Sequence, residues 1–324
     1  INTILQRDFA PPFGLITKED LNNVAISKVD PIEISFNDNT IILNPPPTSG
    51  GVLIAFGLKL LMRYPKTIWQ NELDTYTHLY AALVASQKAR EDYLSSFTCG
   101  PDQNVTTELL KDATIEKYMP LFEKALTEPV YFTKNPDNPL GSTTHISVID
   151  QEGLACSITS SNGEGCGHVV GDFGAMGNNF MGEEDIHPTG FHQMAPSSIP
   201  TSMMCPIIVL KDGKATTALG TGGSNRIRTA LLQVISRHLL GDMTLEQSVG
   251  APRIHYEGDR LFIERQGITN SIDDNIIEKL KTLNKDIAVF DEPNMFFGGV
   301  HVAGVINGAG DGRRGGKVCY STDG

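Results

Sequence analysis

Two adjacent threonines, Thr143 and Thr144, open a strand-like run that follows a loop of small and polar residues. A threonine hydroxyl is a weak nucleophile unless a neighbouring group takes its proton. One solution cuts the chain just before the threonine. The new α-amino group, with a reference pKa of about 8, then serves as the base. Thr143 is the candidate for that role, with the cut at Ser142–Thr143. Taken alone, a Thr-Thr pair is also ordinary strand composition, because β-branched residues favour extended backbone.

A second stretch with chemical potential is the turn Thr221-Gly222-Gly223-Ser224-Asn225, between a strand and a helix. Glycines there let backbone amides point into a pocket, an arrangement suited to an oxyanion. The stretch is not a dinucleotide fingerprint, and no acid follows about 20 residues later in a βαβ unit. Gly50-Gly51 reads as a tight turn and not as a phosphate cradle, which would need a following lysine. His187 and His192 lie among prolines with no third ligand in register, so no metal site is expected, and no cofactor. Glu183, Glu184 and Asp185 are three acids in a row, in isolation a solvated turn.

Several elements must position these residues. Positions 143–150 read as one strand, Gln151-Glu152-Gly153 as a reversal and 154–161 as the returning strand. Upstream, Thr17 is a plausible N-cap for a short helix. The runs IEISF and TIILN around Asn37-Asp38-Asn39 read as a hairpin. Helical patterns follow over 52–63, 71–96 and 107–126, the last expected to break near Pro120. The stretch 132–139 reads as an exposed connection just before Thr143. Downstream, an apolar run ending in MMCPIIVL predicts a buried strand, 226–240 and 273–283 predict helices, and short strands fill the remainder. The tail 310–316 reads as a turn.

Composition sets the bounds. The chain has 324 residues, 40% hydrophobic and 20% charged, enough for a substantial core. A net charge of −12 argues against nucleic-acid or anionic-membrane partners. No apolar run approaches the roughly 20 residues of a membrane span. Five cysteines without a paired spacing give neither a zinc pattern nor a disulfide framework. Cys156 and Cys205, in apolar runs, are expected to be buried thiols. The first residues carry no signal peptide and no initiating methionine, so the chain reads as a fragment or a shortened relative.

The motifs TTHISVIDQEG, SSNGEGCG, GNNFMGEED, SMMCPIIVLKDG, GTGGSNRIRTALLQ and APRIH occur here in order. Together they resemble the γ-glutamyltranspeptidase family of N-terminal-nucleophile hydrolases, which cleave themselves into a large and a small subunit. The resemblance covers nearly all of 143–307. It reaches back through GLITKEDL, PPPTSGG and the helix bearing His78 and Arg90. It implies an α+β fold: a four-layer αββα sandwich of two stacked, mainly antiparallel sheets flanked by helices. Residues 1–142 would be the C-terminal portion of a large-subunit-like region and 143–324 a small-subunit-like catalytic region, both within one fold.

The resemblance also assigns roles. Thr143 would be nucleophile and base, Thr144 a supporting hydrogen bond, and Ser160 would stand for the threonine that orients the nucleophile. Gly222 and Gly223 would donate amides to the oxyanion. Asn162 would hold substrate, and Glu184 and Asp185 would meet its α-ammonium group. Ser202 and Met203 occupy the place of two serines that hold the substrate carboxylate, so half of that contact is replaced. Phe180 stands where a polar residue is usual. The segment 186–200 occupies the place of a mobile lid. The arginine that binds the substrate carboxylate in the family precedes the matched region, and no residue here takes its part. The expected ligand is a γ-glutamyl or related amide such as glutathione, and apolar replacements in a zwitterion pocket point toward a different acyl donor. The alternative is an uncleaved relative that binds a ligand without catalysis, or an amidohydrolase of another donor. Family members are commonly exported, which implies a periplasmic or extracellular location, with a cytoplasmic one left open.

Overall fold

The computed structural model describes residues 16–93, 103–132, 143–171, 174–183, 186–187, 190–194 and 198–321. After helix α1 (Lys18–Asn22), whose Thr17 cap is reciprocated by Asp20, the chain enters hairpin β1 (Ile32–Phe36) and β2 (Asn39–Leu43). Among the described residues four α-helices follow before the candidate nucleophile: α2 (Ser49–Leu61), α3 (Glu72–Asp92), α4 (Gln103–Leu110) and α5 (Asp112–Thr127). The expected interruption at Pro120 does not occur. The helical region divides at Lys111 instead, and α5 runs straight through the proline. Pro120 removes one backbone donor, but burial of Ile115, Tyr118, Phe122 and Ala125 holds the helix on both sides of it.

The second half supplies β3 (Thr143–Ile149), β4 (Ala155–Ser161), the short pair β5 (Val169–Val170) and β6 (Ala175–Met176), β7 (Ile207–Lys211) and β8 (Lys214–Gly222). Then come α6 (Arg226–Leu239), α7 (Leu245–Gly250), β9 (Ile254–Glu257), β10 (Arg260–Glu264), α8 (Asp274–Leu283), β11 (Ile287–Phe290), β12 (Gly299–Gly304) and β13 (Gly308–Ala309).

The main sheet has six strands in the order β1-β2-β7-β8-β12-β13, all neighbours antiparallel. Residues on both sides of position 142 therefore share one sheet, joined where Leu43 pairs with Ile207. Helices α2 and α6 pack on this sheet, and α3 packs on α2. Nearly every residue of α2 is buried, as an apolar helix sandwiched between sheet and helices must be. The hairpin β3–β4 lies across β8 and β12 on the opposite face. The α+β class with stacked, mainly antiparallel sheets is thus observed, and the described residues build helix, sheet and sheet in that order. A three-stranded sheet, β11-β10-β9, packs beside α3 and α6.

Hairpin β3–β4 is amphipathic in an unusual sense. Its inward face is polar, with His145, Ser147, Ser157 and Thr159 turned toward β8. Its outward face carries Ile146, Val148 and Ile158, each more than half exposed. Cys156 shares that outer face and is exposed, against expectation, because strand alternation turns it away from the sheet. Cys205 is buried as expected, and burial pushes its thiol up to about 12. Among the described residues no helix is long and apolar enough to cross a membrane.

Candidate active site

Thr143 is the first residue of β3, and the β3–β4 register decides what it meets. The pairing is symmetric about Glu152, so Thr143 lies opposite Ser161 and Thr144 opposite Ser160. Thr143 Oγ1 donates to Ser161 Oγ at 3.0 Å. The same Ser161 oxygen accepts from Gly163 N at 3.0 Å, which fixes its lone pairs and leaves its position little freedom. Ser160 does not reach Thr143: with Thr144 it sits on the outer, exposed face of the hairpin. The hydroxyl that meets Thr143 is thus that of Ser161, one position on from the expected Ser160. In a strand, one position is a change of face.

The glycine turn meets Thr143 from below. A Cβ on Gly222 would stand 2.0 Å from the carbonyl oxygen of Thr143, so only glycine allows β3 this close. Gly223 follows with φ +133, a conformation that side chains avoid. Thr221, fully buried, secures the turn: its Oγ1 donates to Gly222 O and accepts from Gly299 N, each at 2.9 Å. On the same face of β8, two residues back, Gly220 makes room for the ring of His145. That ring lies between Thr159 Oγ1 at 2.8 Å and Ser147 Oγ at 2.7 Å. Burial, reinforced by His301 nearby, pushes its pKa down to about 4, so it is neutral at pH 7. Its place is structural, a polar bolt between hairpin and sheet.

A narrow cavity opens on one side of Thr143, shared by Ser161, Phe180, Glu183, Ser202 and Met203. Ser202 and Met203 thus line the same cavity as Thr143. Their segment is tied to the start of α2, where Ser49 N donates to Ser202 O at 2.8 Å. The acid that lines the cavity is Glu183, whose carboxylate lies against Gly163. Glu184 and Asp185 fall outside the described residues. Asn162 is exposed, and its carbonyl accepts from Gly165 N and Asn179 N. The side chain that shapes this loop is that of Asn179, which accepts from Glu164 N at 2.8 Å and Gly165 N at 3.2 Å.

Behind the glycine turn stands a buried ionic network in the tail that the sequence reads as a plain turn. Arg253 Nη2 meets Asp311 Oδ2 at 2.6 Å, and Arg313 Nη2 meets Glu264 Oε2 at 2.6 Å. Asp311 also accepts from Val300 N and Arg313 N, both at 3.0 Å. The preceding Gly310 is pressed against Gly316, which packs on His301. No sequence pattern marks this network, because its members are spread over about 60 positions. No cluster of three metal-ligating side chains occurs among the described residues.

The described residues form stacked, mainly antiparallel sheets with a threonine at the start of β3, which packs on β8. The gamma-glutamyltranspeptidase family model matches residues 2–321, and the chain belongs to that family. It is 27% identical to the glutathione hydrolase proenzyme of Bacillus subtilis (strain 168) over 80% of this chain and 47% of that protein. It is 31% identical to the acylase ACY 1 proenzyme of Pseudomonas sp. (strain SE83) over 78% of this chain and 45% of that protein. The chain thus spans about half the length of the curated relatives it matches. In fold, it superposes on the crystal structure of cephalosporin acylase from Bacillus halodurans with a TM-score of 0.74 at 20% identity, covering 98% of this chain and 58% of that one.

Proposed function

We propose that this chain carries the catalytic half of a γ-glutamyltransferase-like amidohydrolase, released for activity by cleavage at Ser142–Thr143. Two polypeptides, 1–142 and 143–324, would then share the six-stranded sheet. The new amine of Thr143 takes the proton of its own Oγ1, which attacks an amide carbonyl carbon. The C–N bond breaks, the leaving amine departs with that proton, and the acyl group stays on Oγ1 as an ester. Water or an acceptor amine then attacks the ester; its proton passes through the Thr143 amine to Oγ1 as the acyl–oxygen bond breaks.

The observation that carries this reading is the placement of Thr143 Oγ1 on Ser161, with its backbone against Gly222. Gly222 and Gly223 are the proposed amide donors to the oxyanion, where one donor is worth on the order of a hundredfold in rate. Glu183 is the proposed partner of a substrate ammonium. Thr144, Ser160 and Asn162, all exposed, would act by supporting the hairpin and loop. A denaturing gel with mass analysis tests the scheme. Two fragments, the longer beginning at Thr143, and their loss in Thr143→Ala together with amide turnover are expected. A single uncut band with unchanged turnover would point to the non-catalytic alternative.

The acyl donor has a second reading. Met203 and Phe180 line the cavity where a zwitterion would need polar partners, and the chain is as similar to an acylase as to glutathione hydrolases. A donor less polar than γ-glutamyl fits such walls. Comparing γ-glutamyl with aliphatic and glutaryl anilides decides between the two.

A further inference from the structure

Thr143 opens a strand that is paired on one edge. Among the described residues β3 has β4 as its only ladder partner, in a two-stranded sheet. The register shows which backbone groups face the other edge. Asp150 N donates to Leu154 O at 3.0 Å, which makes Asp150–Leu154 a hydrogen-bonded pair. Antiparallel pairs alternate between hydrogen-bonded and open. Val148–Cys156 and Ile146–Ile158 are therefore bonded, while Ile149–Ala155, Ser147–Ser157 and His145–Thr159 are open. The N–H and C=O groups of His145, Ser147 and Ile149 thus point away from β4.

A groove of about 890 Å³ runs along β3. Every residue from His145 to Glu152 lines one side, and β12, β13 and the tail from Gly316 line the other. A strand seen on one face presents alternate residues, so an unbroken run marks its edge. The groove shares His145 and His301 with a cavity of about 370 Å³ lined by Thr143 and Gly222, so the two adjoin. The seven residues of β3 carry the groove some distance from Thr143, about 20 Å at about 3.3 Å per residue.

We infer that this groove binds the leaving-group side of the substrate as an extended polypeptide strand, so that the donors cleaved here are N-acylated peptides. The inference rests on the acyl-transfer reading above and names its substrate class. With the scissile carbonyl at Thr143 Oγ1, the peptide runs from its acylated nitrogen toward Ile149, parallel to β3. Its alternate amides then meet the backbone groups of His145, Ser147 and Ile149, the mode in which a sheet edge captures an extended chain. The acyl carbon–nitrogen bond breaks as before, and the peptide leaves with the proton on its new N-terminal amine. The opening of the groove toward Thr143 favours a substrate there over a fixed neighbouring strand.

The test uses the full processed protein and amidated donors with one, two or four alanines after the acyl group. One set carries γ-glutamyl and the other glutaryl, and mass spectrometry follows the released peptide. For each amide paired with β3, kcat/KM is expected to rise by about three- to tenfold, the size of one net hydrogen bond. N-methylation at the second or at the third alanine of the longest donor removes one N–H facing β3 or one facing away. One of these two donors should lose about three- to tenfold and the other keep its rate. Ile149→Pro removes an outward N–H at an edge position, where proline is tolerated. It should lower kcat/KM on the longest donor by about three- to tenfold and leave the shortest within about twofold. If that variant fails to fold, the N-methyl pair decides on the unaltered protein. Equal rates for the two N-methyl donors, or no rise with length, overturn this inference alone. Slow hydrogen exchange at His145, Ser147 and Ile149 in the free protein would also overturn it, assigning the edge to a strand of another polypeptide. A protein inert to every donor overturns the acyl-transfer reading and this one with it.

Discussion

Thr143 Oγ1 donates to Ser161 Oγ across the first pair of the β3–β4 hairpin, and Ser161 is in turn held by Gly163 N. This small chain of hydrogen bonds points the threonine oxygen away from the outer face. Ser161→Ala is expected to lower kcat/KM for amide turnover by on the order of ten- to a hundredfold, because one oriented hydrogen bond to the proposed nucleophile is lost. Ser160→Ala should leave it within about twofold, since that hydroxyl lies on the exposed face. Ser161→Thr keeps the hydroxyl and should retain most activity. Steady-state kinetics on a chromogenic anilide separates the three.

Much of this arrangement is legible in the sequence. The reversal at Gln151-Glu152-Gly153 places the hairpin, and the glycine turn before a helix marks the Thr143 partner. The same reversal contains the correct pairing, since counting outward from Glu152 puts Thr143 against Ser161. Motif matching by residue type favours Ser160 instead, and a one-residue slip inverts the face. Pro120 misleads because local propensity competes with burial, and burial prevails in α5. Cys156 misleads because apolar strand composition here belongs to the outer face of the hairpin, not to the core. The ionic network of Arg253, Glu264, Asp311 and Arg313 is not legible at all, because only the tertiary fold brings these charges together.

Gly222 is expected to tolerate no side chain. An alanine Cβ would meet backbone atoms of Thr143, which cannot swing aside, so β3 must shift. A displacement near 1 Å at a nucleophile costs about a hundredfold in rate. Gly220→Ala meets only the ring of His145, a side chain with some freedom. That variant should lose about 1–3 kcal/mol of stability by overpacking, with a smaller effect on turnover. Urea denaturation beside kinetics for the two variants shows whether the glycines act by position or by general packing.

The neutral state of His145 has a consequence for stability against pH. Its pKa is held at about 4 in the folded chain by burial, with His301 adding to the effect, against an ordinary value of 6.5. The unfolded chain therefore binds the extra proton first as pH falls, and folding stability declines with it. The contribution is fully present above pH 6.5, is lost between about 6.5 and 4, and changes no further below. His255, buried and also held at about 4, titrates in the same direction, while Glu257, held at about 2, acts only at lower pH. A loss on the order of 2–3 kcal/mol per histidine is expected across that window. His145→Gln should flatten part of the slope in urea unfolding measured from pH 7.5 to 4.5.

The buried ion network sets a contrast with charge pairs at the surface. Asp311 is fully buried and faces both Arg253 and Arg313, and it also accepts from the backbone of Val300. Asp311→Ala leaves the buried Arg253 guanidinium without its carboxylate, leaves Arg313 to Glu264 alone, and removes the anchor between β12 and the tail. A loss of about 3–5 kcal/mol is expected, because an uncompensated buried charge is far costlier than a missing surface pair. The Arg260–Asp286 pair, at 2.8 Å but half exposed, serves as the control. Asp286→Asn should cost about 0–1 kcal/mol, since water and salt already screen that contact. If the network also holds the glycine turn in place, Asp311→Ala should lower turnover at temperatures where the protein is still folded, as Gly299 and Val300 carry both Asp311 and the Thr221 contact. Circular dichroism melts paired with kinetics at 15 °C distinguish a positioning role from a purely stabilising one. Unchanged turnover in the folded variant would confine the network to stability.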